Sequence, residues 1–284
     1  MLLNVLREIS FQLNEAIISY KAVSGGSINE AYKLETETDH YFLKYNTGSE
    51  RKGIITSELD GLEQLTKAGV RTPKIVHIFH LDSLNGIVLE WIENDSQNRT
   101  SASLDFAEQL LTIHSSTSEN FGYGQSNYIG SLKQTNALYS TFEEYYVVSR
   151  LEPQLKKAYD HGYFNSHNIA HHFSNIISSH IPLESPTLIH GDLWSGNYIM
   201  STNDKCYLID PSISYSHREM DIAIMHLFGS VPMIVMDRYH SQLPLNDGWK
   251  ERMDIFQLYY LLVHLNLFGK SYYNSVKRII EKYT

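Results

Sequence analysis

Apolar residues in MLLNVLREISFQLNEAI recur at helical spacing with Arg7 and Glu8 between them, which predicts an amphipathic helix at the start of the chain. Short β-rich pieces follow at 21–23, 30–35 and 41–45, the last two joined by the polar turn TETDH, as in a small antiparallel meander. From about residue 50 to 68 the period becomes helical again, with Leu59, Leu62 and Leu65 at i, i+3 and i+6 and Gly69 placed to stop it. Two more strands are expected near 75–80 and 87–91, across the turn DSLNG.

Beyond the polar, aperiodic stretch IENDSQNRTSAS the chain turns mainly helical. Helices are expected near 102–115, 137–160, 165–180, 218–228 and 251–283, interrupted by strands only over 198–210. A lobe boundary therefore falls near residue 92 and divides the chain into 1–91 and 92–284. The predicted class is α+β: a small N-terminal lobe of antiparallel sheet plus helix, and a larger, mainly helical C-terminal lobe. A chain of 284 residues is long enough for two such lobes sharing a cleft.

Composition narrows the partners. With 42% hydrophobic and 19% charged residues, a packed core is expected. The net charge of -9, and 23 basic residues that form no dense run, argue against nucleic-acid binding, so an anionic ligand must meet local positive charge or a metal. The single cysteine, Cys206, excludes an intrachain disulfide and fits a reducing, cytoplasmic location. No run approaches the roughly eighteen apolar residues of a membrane span, so no membrane partner is expected, and the sequons at Asn94 and Asn98 read as chance. A monomer is the default.

The stretch LIHGDLWSGNYIM, 188–200, places polar groups where packing needs none. Residues 198–200 and 207–209 are strand-like around the turn STNDK, which makes a hairpin. If Tyr198 pairs with Ile209, Asn197 faces Asp210 at the open end, and their oxygens converge. Two such ligands suit magnesium, which keeps waters and takes further oxygens from substrate phosphates, so a nucleoside triphosphate is the implied partner. Asp192 enters the hairpin five residues earlier, where its carboxylate can accept a proton from an attacking hydroxyl.

The first lobe offers the complementary parts. Backbone N–H groups of the loop around Gly25, Gly26 and Ser27 can fold over phosphates. Lys44, in YFLKY, can reach the phosphates, and Glu58 on the following helix can pair with it. The connector Leu89, Glu90 and Trp91 can present its backbone to an adenine edge. These parts follow protein-kinase order, with Gly191 where those enzymes have arginine and Asp210 followed by Pro-Ser instead of Phe-Gly. With so little room for an activation loop, a small-molecule kinase is favoured.

The motifs SGGSINEAYKLET, FGYGQSNYIGSLKQTN, RLEPQLKKA, LIHGDLWSGNYIM, IDPSISYSHREMDIAIMHLFG and YYLLVHLNLFGKSY resemble, in order and over nearly the whole chain, the fructosamine kinase (ketosamine kinase) family. The resemblance implies a two-lobed protein-kinase-like fold, related to aminoglycoside phosphotransferases and choline kinases, and ATP-dependent phosphorylation of a sugar hydroxyl in a glycated amine. It implies Asp192 as proton acceptor, Asn197 and Asp210 as magnesium ligands, and Lys44, Glu58 and Leu89–Trp91 as nucleotide site. Ser216 stands where the family has glycine and Tyr139 where it commonly has tryptophan. Trp194 reads either as a stacking surface for the substrate or as packing. Asp221 is expected to anchor the loop around Asp192 through backbone N–H groups.

Other patterns receive plainer readings. His167, His171, His172 and His180 lack the glutamate of H-E-x-x-H and read as a hydrated helix face, and Gly48–Gly53 lacks the lysine of a P-loop. Two alternatives stand beside the ketosamine kinase: a kinase of an aminoglycoside, choline-like or other small alcohol, and an inactive kinase fold acting as a binding module.

Overall fold

The computed structural model describes residues 2–23, 29–48, 51–81, 84–94, 100–165, 169–229 and 231–283. The glycine loop with Gly25, Gly26 and Ser27, and also His167, lie outside the described residues.

Five antiparallel strands build the N-terminal part: β1 (Ser19–Ala22), β2 (Glu30–Glu35), β3 (His40–Thr47), β4 (Ile75–Leu81) and β5 (Leu84–Glu90), in the order β1-β2-β3-β5-β4. Helix α1 (Leu2–Leu13) covers one face, where Val5, Leu6 and Ile9 pack with Leu34, Leu43, Tyr45 and Val88. Helix α2 (Lys52–Lys67) covers the other, with Ile55 and Leu62 against Ile87 and Leu89. Side chains alternate along β3, so Leu43 and Tyr45 point to α1 and Lys44 points to α2. That alternation brings a lysine to a helix bearing Glu58.

The C-terminal part is built on α3 (Thr100–His114), then the short strands β6 (Asn127–Ile129) and β7 (Leu132–Gln134). Helix α4 (Phe142–Tyr146) runs through a π turn at Val147–Leu151 into α5 (Glu152–Asp160), and α6 (Ala170–His180) follows. Strands β8 (Thr187–Ile189), β9 (Tyr198–Met200), β10 (Cys206–Leu208) and β11 (Ser214–Ser216) precede α7 (Glu219–Leu227), α8 (Met233–Gln242), α9 (Trp249–Phe268) and α10 (Tyr273–Tyr283). Helix α9 buries residues on every side, among them Ile255, Phe256, Leu258, Tyr260 and Leu262, as expected of a helix that is apolar all round.

Several expectations need correction. Strands are not confined to 198–210: β6 pairs with β7, and β8 with β11. The helix expected over 137–160 begins only at Phe142, where the Thr141 side chain accepts from the Glu144 N–H at 3.2 Å. Before it, Tyr139 bridges to Phe121. The helix expected over 251–283 breaks at Gly269, whose φ of +88° suits glycine. Helix α8 was not foreseen, because its buried Val235, Met236 and Tyr239 make too short a periodic run.

Candidate active site

The loop after β8 is held from below. Asp221, fully buried on α7, accepts the His190 N–H at 2.7 Å and the Gly191 N–H at 2.9 Å with its two carboxylate oxygens. Gly191 has φ +80°, and a Cβ there would collide with the Ser212 carbonyl oxygen, so no side chain fits. The anchoring expected of Asp221 is therefore present. His190 does a second job. Its Nε2–H donates to the Ile209 carbonyl at 2.9 Å while its Nδ1 accepts the Asp192 N–H at 3.3 Å, and burial lowers its pKa and keeps it neutral. One imidazole thus ties the Asp192 loop to the residue before Asp210, a role that sequence reasoning did not assign.

The hairpin register differs from expectation by one residue. Tyr198 pairs with Leu208, so Asn197 lies across from Ile209, whose N–H donates to the Asn197 carbonyl at 3.0 Å. The cause is the turn. Asp204 takes a left-handed φ of +61°, and Ser201 closes the loop on Lys205 at 2.8 Å, one residue tighter than foreseen. Asn197 and Asp210 still line the same cavity, by another route. Asp210 itself adopts φ +52°, a conformation that short polar side chains tolerate, and its carboxylate swings to Lys44. Asn197 Nδ2 donates to the Asp192 carbonyl at 2.8 Å and to Asp192 Oδ2 at 2.9 Å.

Lys44 Nζ lies 2.5 Å from Asp210 Oδ1 and 2.8 Å from Glu58 Oε2. Two carboxyl groups, those of Glu58 and Asp210, thus flank one ammonium, and Asp192 lines the same cavity. Burial alone would lower the lysine's pKa, but Asp210 and Glu58 outweigh it and hold it raised. Burial pushes Glu58 up to about 8 against the pull of Lys44, with the Asp210 charge adding to the rise. Asp192 is raised well above the usual carboxylate range by burial and then by the Asp210 charge, while the Asn197 hydrogen bond opposes the shift. Asp210 is lowered: Lys44 more than offsets burial. The cluster presents oxygen donors to a cavity, with Asn197 Oδ1 and Asp210 Oδ2 outside the bonds just described, and the raised Glu58 and Asp192 carboxyls show that their charges are disfavoured there without a further cation. Such a donor set fits a hard divalent cation.

The same cavity has an apolar wall. Trp194 lies folded over Gly196, where a Cβ would strike its ring, and faces Val263, His264, Leu267 and Phe268 from the end of α9. His264 donates Nδ1–H to the Tyr260 carbonyl at 2.8 Å and stacks on Phe228 at 4.1 Å. Tyr128 and Gly130, from β6 and the turn after it, close another side. Residues 89–91 do not line this cavity. Leu89, on β5, packs against Ile55 and Leu62 of α2, while the Glu90 and Trp91 N–H groups donate to the Lys74 carbonyl at 2.9 Å and the His40 carbonyl at 3.2 Å. Nor do Tyr139 and Ser216 line it, so the two departures from the family pattern leave its walls untouched.

Elsewhere, Glu184, His217 and Glu219 bring ligand atoms within 4.8 Å of one another. Arg218 holds Glu184 at 2.9 and 3.0 Å, and Arg252 holds Glu219 at 2.8 and 2.6 Å. Both carboxylates already have guanidinium partners, which makes this an internal ion-pair network. On α6, His180 Nδ1 lies 2.9 Å from the Ile176 carbonyl.

A five-stranded sheet with its lysine–glutamate pair, set against a helical part that supplies Asp192, Asn197 and Asp210, defines a phosphotransferase of the protein-kinase-like class. An aminoglycoside phosphotransferase captured in ternary complex with AMP-PNP and hygromycin B shares the fold at TM-score 0.63, with 15% identity over 98% of each chain. The chain belongs to the fructosamine kinase family: that family's sequence model, "Fructosamine kinase", matches residues 1–284. The Enterococcus faecium protein named "Probable ketoamine kinase" is 35% identical over 265 residues, covering 92% of this chain and 94% of that one. A Haemophilus somnus crystal structure bearing a provisional fructosamine-3-kinase name superposes at TM-score 0.88, with 25% identity over 98% of this chain and 96% of that one. Among the described residues no helix is long and apolar enough to cross a membrane.

Proposed function

We propose that the protein transfers the γ-phosphoryl group of ATP to a sugar hydroxyl of a ketosamine, the adduct of a sugar and an amine. One observation supports the reading above the others: Lys44, Glu58, Asp192, Asn197 and Asp210, far apart along the chain, border a single cavity. Asp192 takes the proton of the hydroxyl as its oxygen attacks the γ-phosphorus, and the bond to the bridging oxygen of ADP breaks. Lys44 offsets the charge of the phosphate chain, and Glu58 fixes the lysine. Asn197 and Asp210 would hold magnesium, which when bound neutralises phosphate oxygens. Positioning and electrostatics supply most of the acceleration, because the transferred group is loosely bonded at the transition state.

Trp194, with Val263 and Leu267 across the cavity, is the surface on which the acceptor lies, and apolar contact there orders the sugar and its amine substituent. In this reading the division between nucleotide-binding and acceptor-binding lobes falls at 91/92, and the glycine loop at Gly25, Gly26 and Ser27 covers the phosphates. The adenine edge meets the connector after β5 through groups other than the N–H donors of Glu90 and Trp91, which the sheet already uses.

The test is ATP consumption against a panel of fructosyl-amines, ribulosyl-amines, aminoglycosides and choline. Turnover with the ketosamines, at a kcat/KM well above that for the others, is expected. Preference for choline or an aminoglycoside would replace this substrate assignment, and no ATP consumption with any acceptor would favour a binding module.

A further inference from the structure

Residues 121–139 contain the motif FGYGQSNYIGSLKQTN, for which the reaction itself names no task. In the structure they form a strap from the helical part onto α2. Tyr123 Oη donates to Asp60 Oδ2 at 2.7 Å and Gln125 Nε2 to the same oxygen at 3.2 Å. Gly53 abuts the Tyr128 ring so closely that an added Cβ would lie 2.8 Å from its Oη, and one at Gly61 would lie 2.8 Å from Pro211 Cγ. Gly53, Asp60 and Gly61 stand at i, i+7 and i+8, one stripe of the helix. Ile55 and Leu62 on a neighbouring stripe face the sheet. Helix α2 is therefore gripped from two sides, with Glu58 directed at Lys44.

The strap is rooted beside Asp210. Asn127 Nδ2 donates to the Ile213 carbonyl at 2.7 Å, and Ser212 Oγ to the Tyr128 carbonyl at 2.7 Å. Asn136 Nδ2 donates to Asn127 Oδ1 at 2.8 Å, and Arg150 Nη2 holds Asn136 Oδ1 at 2.6 Å. Gly122 exchanges both backbone hydrogen bonds with Tyr215 at 2.8 Å. One stretch of chain thus joins the segment after Asp210 to the helix that presents Glu58. A mid-helix glycine ordinarily weakens a helix, and at Gly61 it permits the approach to Pro211.

We infer that Asp60 and Tyr123 are positioning residues: they latch α2 to the strap and so keep the Glu58–Lys44 pair set against Asp210 without an activation loop. The inference rests on the proposed kinase reading, because it assigns the latch an effect on nucleotide binding and phosphoryl transfer. Tyr123→Phe removes only the hydroxyl, and Asp60→Ala removes its acceptor. Loss of a hydrogen bond to a charged group commonly changes an equilibrium by about tenfold or more. The latch variants are therefore expected to raise the KM for ATP and the Kd for AMP-PNP with magnesium by about tenfold, while the KM for the acceptor stays within twofold.

The double variant should be no worse than Asp60→Ala, since both changes break the same contact. Gly61→Ala supplies an independent arm. Helix propensity alone would leave it harmless or stabilising, whereas displacement of α2 by Pro211 predicts the same selective loss of ATP affinity. Binding of AMP-PNP by the unaltered protein tests the kinase reading first, and its absence would overturn both. Normal binding there, with AMP-PNP affinity and ATP KM within twofold in folded Tyr123→Phe, Asp60→Ala and Gly61→Ala, would overturn the latch alone. Equal losses for ATP and acceptor would also overturn it, pointing to general destabilisation.

Discussion

Replacing Asp192 by asparagine separates the chemistry of the site from its architecture. The carboxylate accepts one side-chain hydrogen bond, from Asn197 Nδ2 at 2.9 Å, and the introduced amide oxygen can accept the same one. A second bond from Asn197 Nδ2, at 2.8 Å, goes to the backbone carbonyl and does not depend on the side chain. Asp221 and His190 hold the loop through backbone groups as well. What Asp192→Asn removes is a negative charge and a proton acceptor. General-base assistance is worth on the order of 10² to 10⁴ in rate, which corresponds to about 2.7 to 5.4 kcal/mol of barrier at about 1.36 kcal/mol per factor of ten.

Stability should move the other way. Burial and the Asp210 charge both disfavour the ionised Asp192 side chain in the folded protein. A neutral amide relieves that repulsion, so the melting temperature of Asp192→Asn is expected to equal or exceed that of the unaltered protein. Steady-state kinetics with saturating ketosamine, AMP-PNP titration and a thermal melt on the same preparation provide the three readouts. The expected pattern is a kcat lowered by 10² to 10⁴, nucleotide affinity within a few fold, and no loss of stability. Near-normal turnover would refute the base assignment. A parallel collapse of stability and affinity would show that the residue is architectural.

Lys44→Met removes the cation that pairs with both Glu58 and Asp210, and kcat/KM for ATP should fall by at least about 10²-fold with little change in the KM for the acceptor; steady-state kinetics with each substrate varied in turn measure it. Chelation of divalent cations should stop turnover and magnesium restore it, while Asp210→Asn should raise half-saturating magnesium roughly tenfold, since one anionic ligand is lost. His217 predicts acid sensitivity of the fold. Buried between Phe142 and Phe256, it accepts the Glu219 N–H at 3.3 Å, and burial lowers its pKa although Glu184 and Glu219 favour the charged form and Arg218 opposes it. The unfolded chain then takes up a proton that the folded one refuses, so stability is present above about pH 6.5 and declines below it, by up to about 1.4 kcal/mol per pH unit for this group. Urea titrations at pH 7.5 and 5.5 should show the decline, and a smaller one in His217→Asn; equal declines would show that His217 does not contribute.

Much of the sheet was legible because strand-forming runs stand beside recognisable polar turns, such as TETDH between β2 and β3. Residues 30–35 and 41–45 read as β-rich pieces, and the structure places β2 and β3 there, extending β3 to 40–47. Lys44 and Glu58 were foreseen as partners from their order along the chain, and strand alternation brings them to 2.8 Å. The short strands were another matter. β6, β7, β8 and β11 have three residues each, which is too few to display a period, and β8 is buried throughout. β8 and β11 moreover pair across a long stretch of chain, Ser214 opposite Ile189, whereas β6 and β7 form a local hairpin with Ile129 opposite Leu132.

The hairpin shows how two residues can reach one cavity from a register other than the expected one. Facing Asn197 with Asp210 required Tyr198 opposite Ile209, and the left-handed turn at Asp204 shifts that pairing by one. In a regular ladder, a slip of one residue would send the two side chains to opposite faces. They meet the same cavity because the ladder ends there: Asp210 takes a left-handed φ, and Asn197 is drawn to the Asp192 loop. His190 stabilises that departure by bonding to both Ile209 and Asp192. Its partners are a carbonyl and an N–H, which exist at every residue and leave no mark on side-chain type. The His190 contacts were hidden for that physical reason, while the Asp221 anchor and the charged groups, lysine and carboxylates, were visible.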